Sequence, residues 1–93
     1  MALIYYIDNE RNWKRYVGCT TNSLAKRFGQ HKYLLRRNQH PNKRLQEDWN
    51  KYGEQAFHAF VIAECPDDKM YEKERRHISR LGTMDPGVGY NEQ

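Results

Sequence analysis

The sequence predicts an α+β domain, and three observations carry that reading. Two runs rich in β-branched and aromatic residues flank a polar turn near the N-terminus. Three later stretches place apolar residues at helical spacing. A third apolar run, residues 56–64, lies between the last two of those stretches. Ala2–Ile7 and Trp13–Cys19 read as strands, joined through Asp8-Asn9-Glu10-Arg11-Asn12. A turn centred between Glu10 and Arg11 sets Tyr5 directly opposite Tyr16, which would bring two phenols together on one face. Thr20-Thr21-Asn22-Ser23 supplies an N-cap, and a helix follows to about Arg37 with Leu24, Phe28, His31 and Leu35 in register. Gly29 weakens that helix by up to roughly 1 kcal/mol.

Asn38–Pro41 breaks the helix. A second one, Asn42–Tyr52, carries Leu45, Trp49 and Tyr52 on one stripe and stops at Gly53. Ala56–Glu64 is apolar on both faces, the composition expected of a central strand. Pro66-Asp67-Asp68 opens a third helix that ends at Leu81-Gly82. The tail 84–93, with Pro86, Gly87 and Gly89, reads as a return segment.

Size and charge narrow the classes. A chain of 93 residues implies a single domain over 1–93. With 38% hydrophobic and 13% aromatic residues it holds enough apolar surface for a core and is too apolar for a disordered chain. Sixteen Lys and Arg against twelve Asp and Glu give +4, a mild excess that suits a polyanionic partner. Two cysteines, Cys19 and Cys65, fit a reducing compartment, and no run approaches the roughly 20 apolar residues of a membrane span. The expectation is a cytoplasmic protein.

Residues that break the patterning are the functional candidates. Met70, Glu74, Ile78 and Leu81 share one helical stripe, so a carboxylate stands where an apolar side chain belongs. It must be salt-bridged, protonated or bound to metal. His31 lies on the apolar stripe of the first helix, with Arg27 one turn earlier on the same side. A histidine so placed is either a hydrogen-bonded core residue or a catalyst. An Arg at i−4 favours the second, because its planar fork grips phosphate. Tyr5 and Tyr16, taken singly, are ordinary strand aromatics. Cys19, His31, His40 and Cys65 match no zinc-ligand spacing. The basic pairs Lys26-Arg27, Lys43-Arg44 and Arg75-Arg76 are dispersed along helices, as solvated faces are.

Taken together, these positions resemble the GIY-YIG nuclease superfamily, and within it the catalytic domains of phage intron-encoded homing endonucleases. Leu3-Ile4-Tyr5 and Tyr16-Val17-Gly18 stand as the two half-motifs. Arg27-x₃-His31, His40, Leu45-Gln46, Asn50-Lys51, Gly53, Glu74 and Gly89-Tyr90-Asn91 follow in order. Leu3 departs from the usual first Gly, and Val17 replaces Ile. The resemblance implies a small three-stranded antiparallel sheet flanked by about three helices. It also implies hydrolysis of DNA phosphodiesters with one Mg²⁺ or Mn²⁺.

Tyr5, Tyr16, Arg27, His31 and Glu74 would then form one catalytic site. Glu74 would be the metal ligand, Arg27 the stabiliser of the phosphate and Tyr5 the proposed base. The division of roles among Tyr5, Tyr16 and His31 stays open. His40 would contact phosphate and Asn91 would brace the metal end, while Lys26, Lys43 and Arg44 are candidate DNA contacts. A single inward carboxylate favours one ion over two. A monomer or weak dimer is expected, acting in the cytoplasm, a phage host's included, with two copies meeting for a double-strand break. The alternatives are a non-catalytic nucleic-acid-binding module of the same fold and a structural or protein-interaction domain. DNA specificity is not legible in the sequence.

Overall fold

The computed structural model describes residues 1–92. In chain order it contains β1 (Ala2–Asn9), β2 (Arg15–Thr20), α1 (Leu24–Arg36), α2 (Lys43–Tyr52), β3 (Phe57–Cys65) and α3 (Met70–Leu81). Short 3₁₀ turns at Glu54–Ala56 and Asp67–Lys69 precede β3 and α3. The strands form one antiparallel sheet in the order β2-β1-β3.

The expected central strand at 56–64 is therefore corrected: β1 is central and β3 is an edge. Ala2, Ile4, Tyr5 and Ile7 of β1 are fully buried, whereas β3 leaves Phe60 and Val61 in solvent. Apolar density on both faces marks a strand as sticky, but tertiary covering decides which strand is enclosed.

The hairpin register is corrected too. Tyr5 pairs with Gly18, and Tyr16 with Ile7. The loop is longer than the turn centred on Glu10 and Arg11: the Asn9 amide donates to the Lys14 carbonyl (2.9 Å) and the Trp13 amide to the Asn9 carbonyl (2.7 Å). Trp13 takes φ 64°, a left-handed conformation that a bulky side chain seldom adopts. Side chains of Asn9 and Asn12 accept from the amides of Arg11 and Lys14, which holds the loop in that shape. The slip is by two residues, so Tyr5 and Tyr16 still share a face, as diagonal rather than direct neighbours.

Alternation along the strands divides the core. Tyr5 and Ile7 pack with Leu35 of α1 and Leu45 and Trp49 of α2. Ala2, Ile4 and Val17 pack on the other face with Met70, Ile78 and Leu81 of α3. The Trp49 and Phe57 rings lie 5.3 Å apart, a contact that adds roughly 0.5–1.5 kcal/mol beyond area burial. Ser23 caps α1 by accepting from the Lys26 amide (3.2 Å), a cap whose loss costs about 1 kcal/mol.

The tail turns back at Gly82 (φ 68°) and runs along the outer edge of β2. The Tyr90 amide donates to the Arg15 carbonyl (2.9 Å). Asn91 pairs with Val17 as a strand would: its Oδ1 accepts from the Val17 amide (2.7 Å) and its Nδ2 donates to the Val17 carbonyl (2.9 Å). Gly89 permits this approach, because a Cβ there would overlap the Arg15 carbonyl and Thr83. No helix is long and apolar enough to cross a membrane among the described residues.

Candidate active site

The site forms at the β2 edge, where α1 approaches from one side of the sheet and α3 from the other. Tyr16, Val17, His40, Asn42, Glu74 and Asn91 line a cleft of about 280 Å³ there. Tyr5 lies behind it, fully buried. Gly18 makes room for Tyr5, since a Cβ at that position would overlap the Tyr5 hydroxyl and ring. That is the physical reason for a Gly two residues after Tyr16.

Polar hydrogens in this wall have one consistent arrangement. The Asn42 amide donates to His40 Nδ1 (3.0 Å). A backbone N–H only donates, so Nδ1 is bare and the neutral ring carries its proton on Nε2. That Nε2 lies 2.8 Å from His31 Nδ1 and must donate to it. His31 therefore carries its own proton on Nε2, which donates to Tyr5 Oη across 2.7 Å. Both rings are neutral: burial, with the nearby Arg27 charge, lowers His40, and the same causes lower His31 to about 3. The His40 amide donates to Gln46 Oε1 (3.1 Å), which ties the chain to α2.

The tautomers constrain the chemistry. Neither imidazole has a free nitrogen, so neither is positioned to take a proton from substrate. His40 does not offer the phosphate contact expected of it, since both its nitrogens are engaged. Tyr5 receives a donated hydrogen bond at Oη, and Arg27 lies close enough to lower its pKa. Both favour phenolate. Burial and the neighbouring Tyr16 outweigh them and raise the Tyr5 pKa, so it rests as a phenol rather than as the phenolate that its donors alone would give. Tyr16, half-buried on the cleft wall, is also raised, by burial and then by Glu74.

Glu74 reaches the cleft from α3 and is half-buried. It has no ion-pair partner among the described residues. Its neighbour is the Cys19 thiol, whose pKa is pushed up to about 12 by burial and by its hydrogen bond to Glu74. Cys19 projects from the opposite face of β2 to Tyr16, so Glu74 bridges both faces at the strand edge. Glu92 lines the same cleft, a second carboxylate that helix and strand periodicity could not reveal because it lies in the tail. Arg27 is half-buried on α1, with Nη1 donating to Gln30 Oε1 (3.0 Å).

The outer candidates separate. Asn91 lines the cleft but spends both ends of its amide on Val17, so it braces β2. Arg44 donates to the Asn91 carbonyl (2.6 Å) and lies 3.9 Å from Glu92, which binds it to the tail. Lys26 and Lys43 are exposed and form no ion pair among the described residues. Asn42, Gln46 and Cys19 complete the site without having been singled out for it; no residue-type signal marks a backbone amide as a tautomer-setting group.

No group of three or more metal-ligating side chains forms a cage among the described residues. A hard divalent ion does not need one. It holds to one or two carboxylates and keeps several waters. An unpaired, half-buried Glu74 with Glu92 beside it suits such an ion, and the lack of clustered thiol and imidazole ligands does not suit zinc.

With this geometry in place, the comparisons are specific. The model of the GIY-YIG catalytic domain matches residues 1–91. The catalytic domain of homing endonuclease I-TevI superposes with a TM-score of 0.86 at 29% identity, over 99% of this chain and 100% of that one. A glutamate-to-alanine mutant of the intron endonuclease I-TevI catalytic domain superposes at 0.87 with 32% identity, over 98% and 93% of the two chains. No curated protein matches.

Proposed function

Because the chain belongs to the GIY-YIG catalytic-domain family, it is a DNA endonuclease, and we propose that it hydrolyses phosphodiesters with one divalent cation held at Glu74. The observation that carries the proposal is the half-buried Glu74 carboxylate on the cleft, which has no ion-pair partner among the described residues. Arg27 and Glu74 act on the same phenol, Tyr16, and on the same thiol, Cys19, without being paired to each other. Such an arrangement leaves the cation free for a phosphate and the carboxylate free for a metal.

Glu74, with Glu92 beside it, would hold Mg²⁺ or Mn²⁺; when bound, such an ion neutralises charge on the phosphate and leaving oxygen. Arg27 holds the scissile phosphate and stabilises charge as the transition state forms. Tyr5 takes the proton of the attacking water at Oη. The donor chain from Asn42 through His40 and His31 stabilises the phenolate that must precede this step. Tyr16, at the cleft surface, positions the water and phosphate. His31 and His40 are positioning residues, since their protons point toward Tyr5.

The test is conversion of supercoiled plasmid in Mg²⁺. Wild type should give open circles before linear product, because one base and one carboxylate site cut one strand per encounter. Linear product should then rise with the square of enzyme concentration, as expected of a monomer that must act twice. Glu74→Gln should abolish cleavage while leaving the circular dichroism spectrum and plasmid binding intact. Mg²⁺-dependent cleavage by Glu74→Gln would overturn the assignment of the metal ligand. A folded, DNA-binding wild type that never cuts would point to the non-catalytic module instead.

A further inference from the structure

The catalytic cleft continues past Glu74 into a second groove of a different character. This groove, about 520 Å³, runs between α3 and the tail and is lined by Glu74, Arg75, Ile78, Ser79, Met84 and Glu92. Three of those residues, Glu74, Ile78 and Glu92, also line the cleft over Tyr16 and His40, so the two form one continuous channel. The first segment is lined mainly by polar side chains, among them Tyr16, His40, Asn42, Glu74 and Asn91. The second has an apolar floor of Ile78 and Met84, and Met84 is 42% exposed.

We propose that this second segment receives a nucleobase of the cleaved strand, rotated out of the helical stack beside the scissile phosphate. The proposal rests on the endonuclease reading above and names a substrate feature for the same site. A nucleic-acid strand alternates charged phosphates with flat, weakly polar bases. A phosphate in the first segment therefore sends its neighbouring nucleotide toward the second. Arg75 is the one cation lining the second segment among the described residues. Glu74 and Glu92 at the join are committed to the divalent ion and, for Glu92, to Arg44 as well, so little there holds a second phosphate. A neutral ring needs no counter-charge and gains contact with Ile78 and with the polarisable Met84 thioether. Ser79 and Arg75 at the rim supply hydrogen-bonding groups for a base edge.

Paired bases point toward the duplex axis, away from a surface that grips the backbone. A base reaches this groove only by leaving the stack, at a cost that is least where it is already unpaired. DNA with an unpaired nucleotide next to the scissile phosphate is therefore the preferred substrate.

Once cleavage products have located the cut, 2-aminopurine is placed in turn at the nucleotides flanking it. Emission should rise when saturating Glu74→Gln enzyme binds, as the base unstacks onto aliphatic side chains. With wild type, a duplex carrying a single unpaired nucleotide at that position should be cut about tenfold faster than the paired duplex. Met84→Asp, and separately Ser79→Leu, alter exposed positions outside the catalytic set. Each should shrink the advantage to less than about twofold while paired DNA is still cut. Unchanged emission at every flanking position, or a full advantage retained in both variants, overturns the proposal. Paired and unpaired duplexes cut at equal rates overturn it while the endonuclease reading stands. If neither duplex is cut at all, the endonuclease reading itself fails.

Discussion

The two walls of the cleft are built on opposite principles. On the Tyr5 side, every polar atom of the chain from Asn42 to Tyr5 has a partner, and the participants are buried and neutral. The charged wall is drawn from two elements: Arg27, on the same helix as His31, and Glu74, on α3, are half-exposed and not paired with each other. A neutral, satisfied network carries its own desolvation within the protein and holds one geometry. A half-buried, unpaired charge carries a cost that a ligand of opposite sign relieves. The contrast teaches where the substrate enters: it completes the charged wall and leaves the neutral one as it stands. Charge and hydrogen-bond polarity together support the proposed division of roles that residue types alone left open.

The strongest challenge to this contrast is removal of the cation. Arg27→Ala should lower kcat by on the order of 10²–10³, the usual loss when a principal charge stabiliser is removed. Arg27→Lys should restore little, since a point charge lacks the planar fork. Steady-state kinetics on a fixed duplex decide the matter. Normal turnover with only a raised KM would make Arg27 a docking residue, and the two walls would then not differ in kind.

The neutral wall is tested through pH. Burial raises the Tyr5 pKa, so at neutral pH only a small fraction is phenolate. That fraction grows tenfold per pH unit while pH stays below the pKa. The rate should accordingly climb close to tenfold per unit from pH 7 to 9, about 10² in all, and flatten in Tyr5→Phe. A profile that levels off near pH 7 would mean that an imidazole takes the proton, contrary to the tautomers set by the Asn42 amide.

Helical spacing made much of this site legible. It placed Arg27 one turn before His31 and put Glu74 among Met70 and Ile78, and of these Glu74 and Ile78 line the cleft while His31 lies buried behind it. Legibility failed where the determinant was not a side-chain pattern. The hairpin register hangs on Trp13 at positive φ, a conformation its residue type argues against. The polarity of the histidine chain depends on the Asn42 amide, a group every residue but proline carries. Cys19 faces away from Tyr16, and its contact with Glu74 exists only because α3 packs against that face of β2. The central strand was misplaced for a related reason: β3 looks as apolar as β1, yet it pairs along one edge only and leaves Phe60 and Val61 in solvent.

The smallest effect expected is on stability, and it follows from the same neutral wall. His31 is held neutral in the folded protein, with its pKa lowered from 6.5 to about 3, and His40 is shifted in the same direction. The unfolded chain binds those protons near pH 6.5, so below that value it holds more protons than the folded chain does. Stability is therefore intact above pH 6.5 and falls as pH drops toward the folded-state values. Each histidine contributes a slope of up to about 1.4 kcal/mol per pH unit in that window. Asp8 acts in the opposite sense, because burial raises its carboxyl and its protonation favours the folded form at lower pH. Wild type and a His31 variant share that carboxylate, so its contribution cancels when the two are compared. Urea denaturation from pH 6.5 to 5 should show wild type losing on the order of 2 kcal/mol for His31 alone. His31→Gln, which keeps a donor for Tyr5 Oη without a titrating ring, should lose correspondingly less over the same interval. Equal losses in the two proteins would mean that His31 is protonated in the folded state, and the donor chain to Tyr5 would then lack the fixed polarity on which the comparison of the two walls depends.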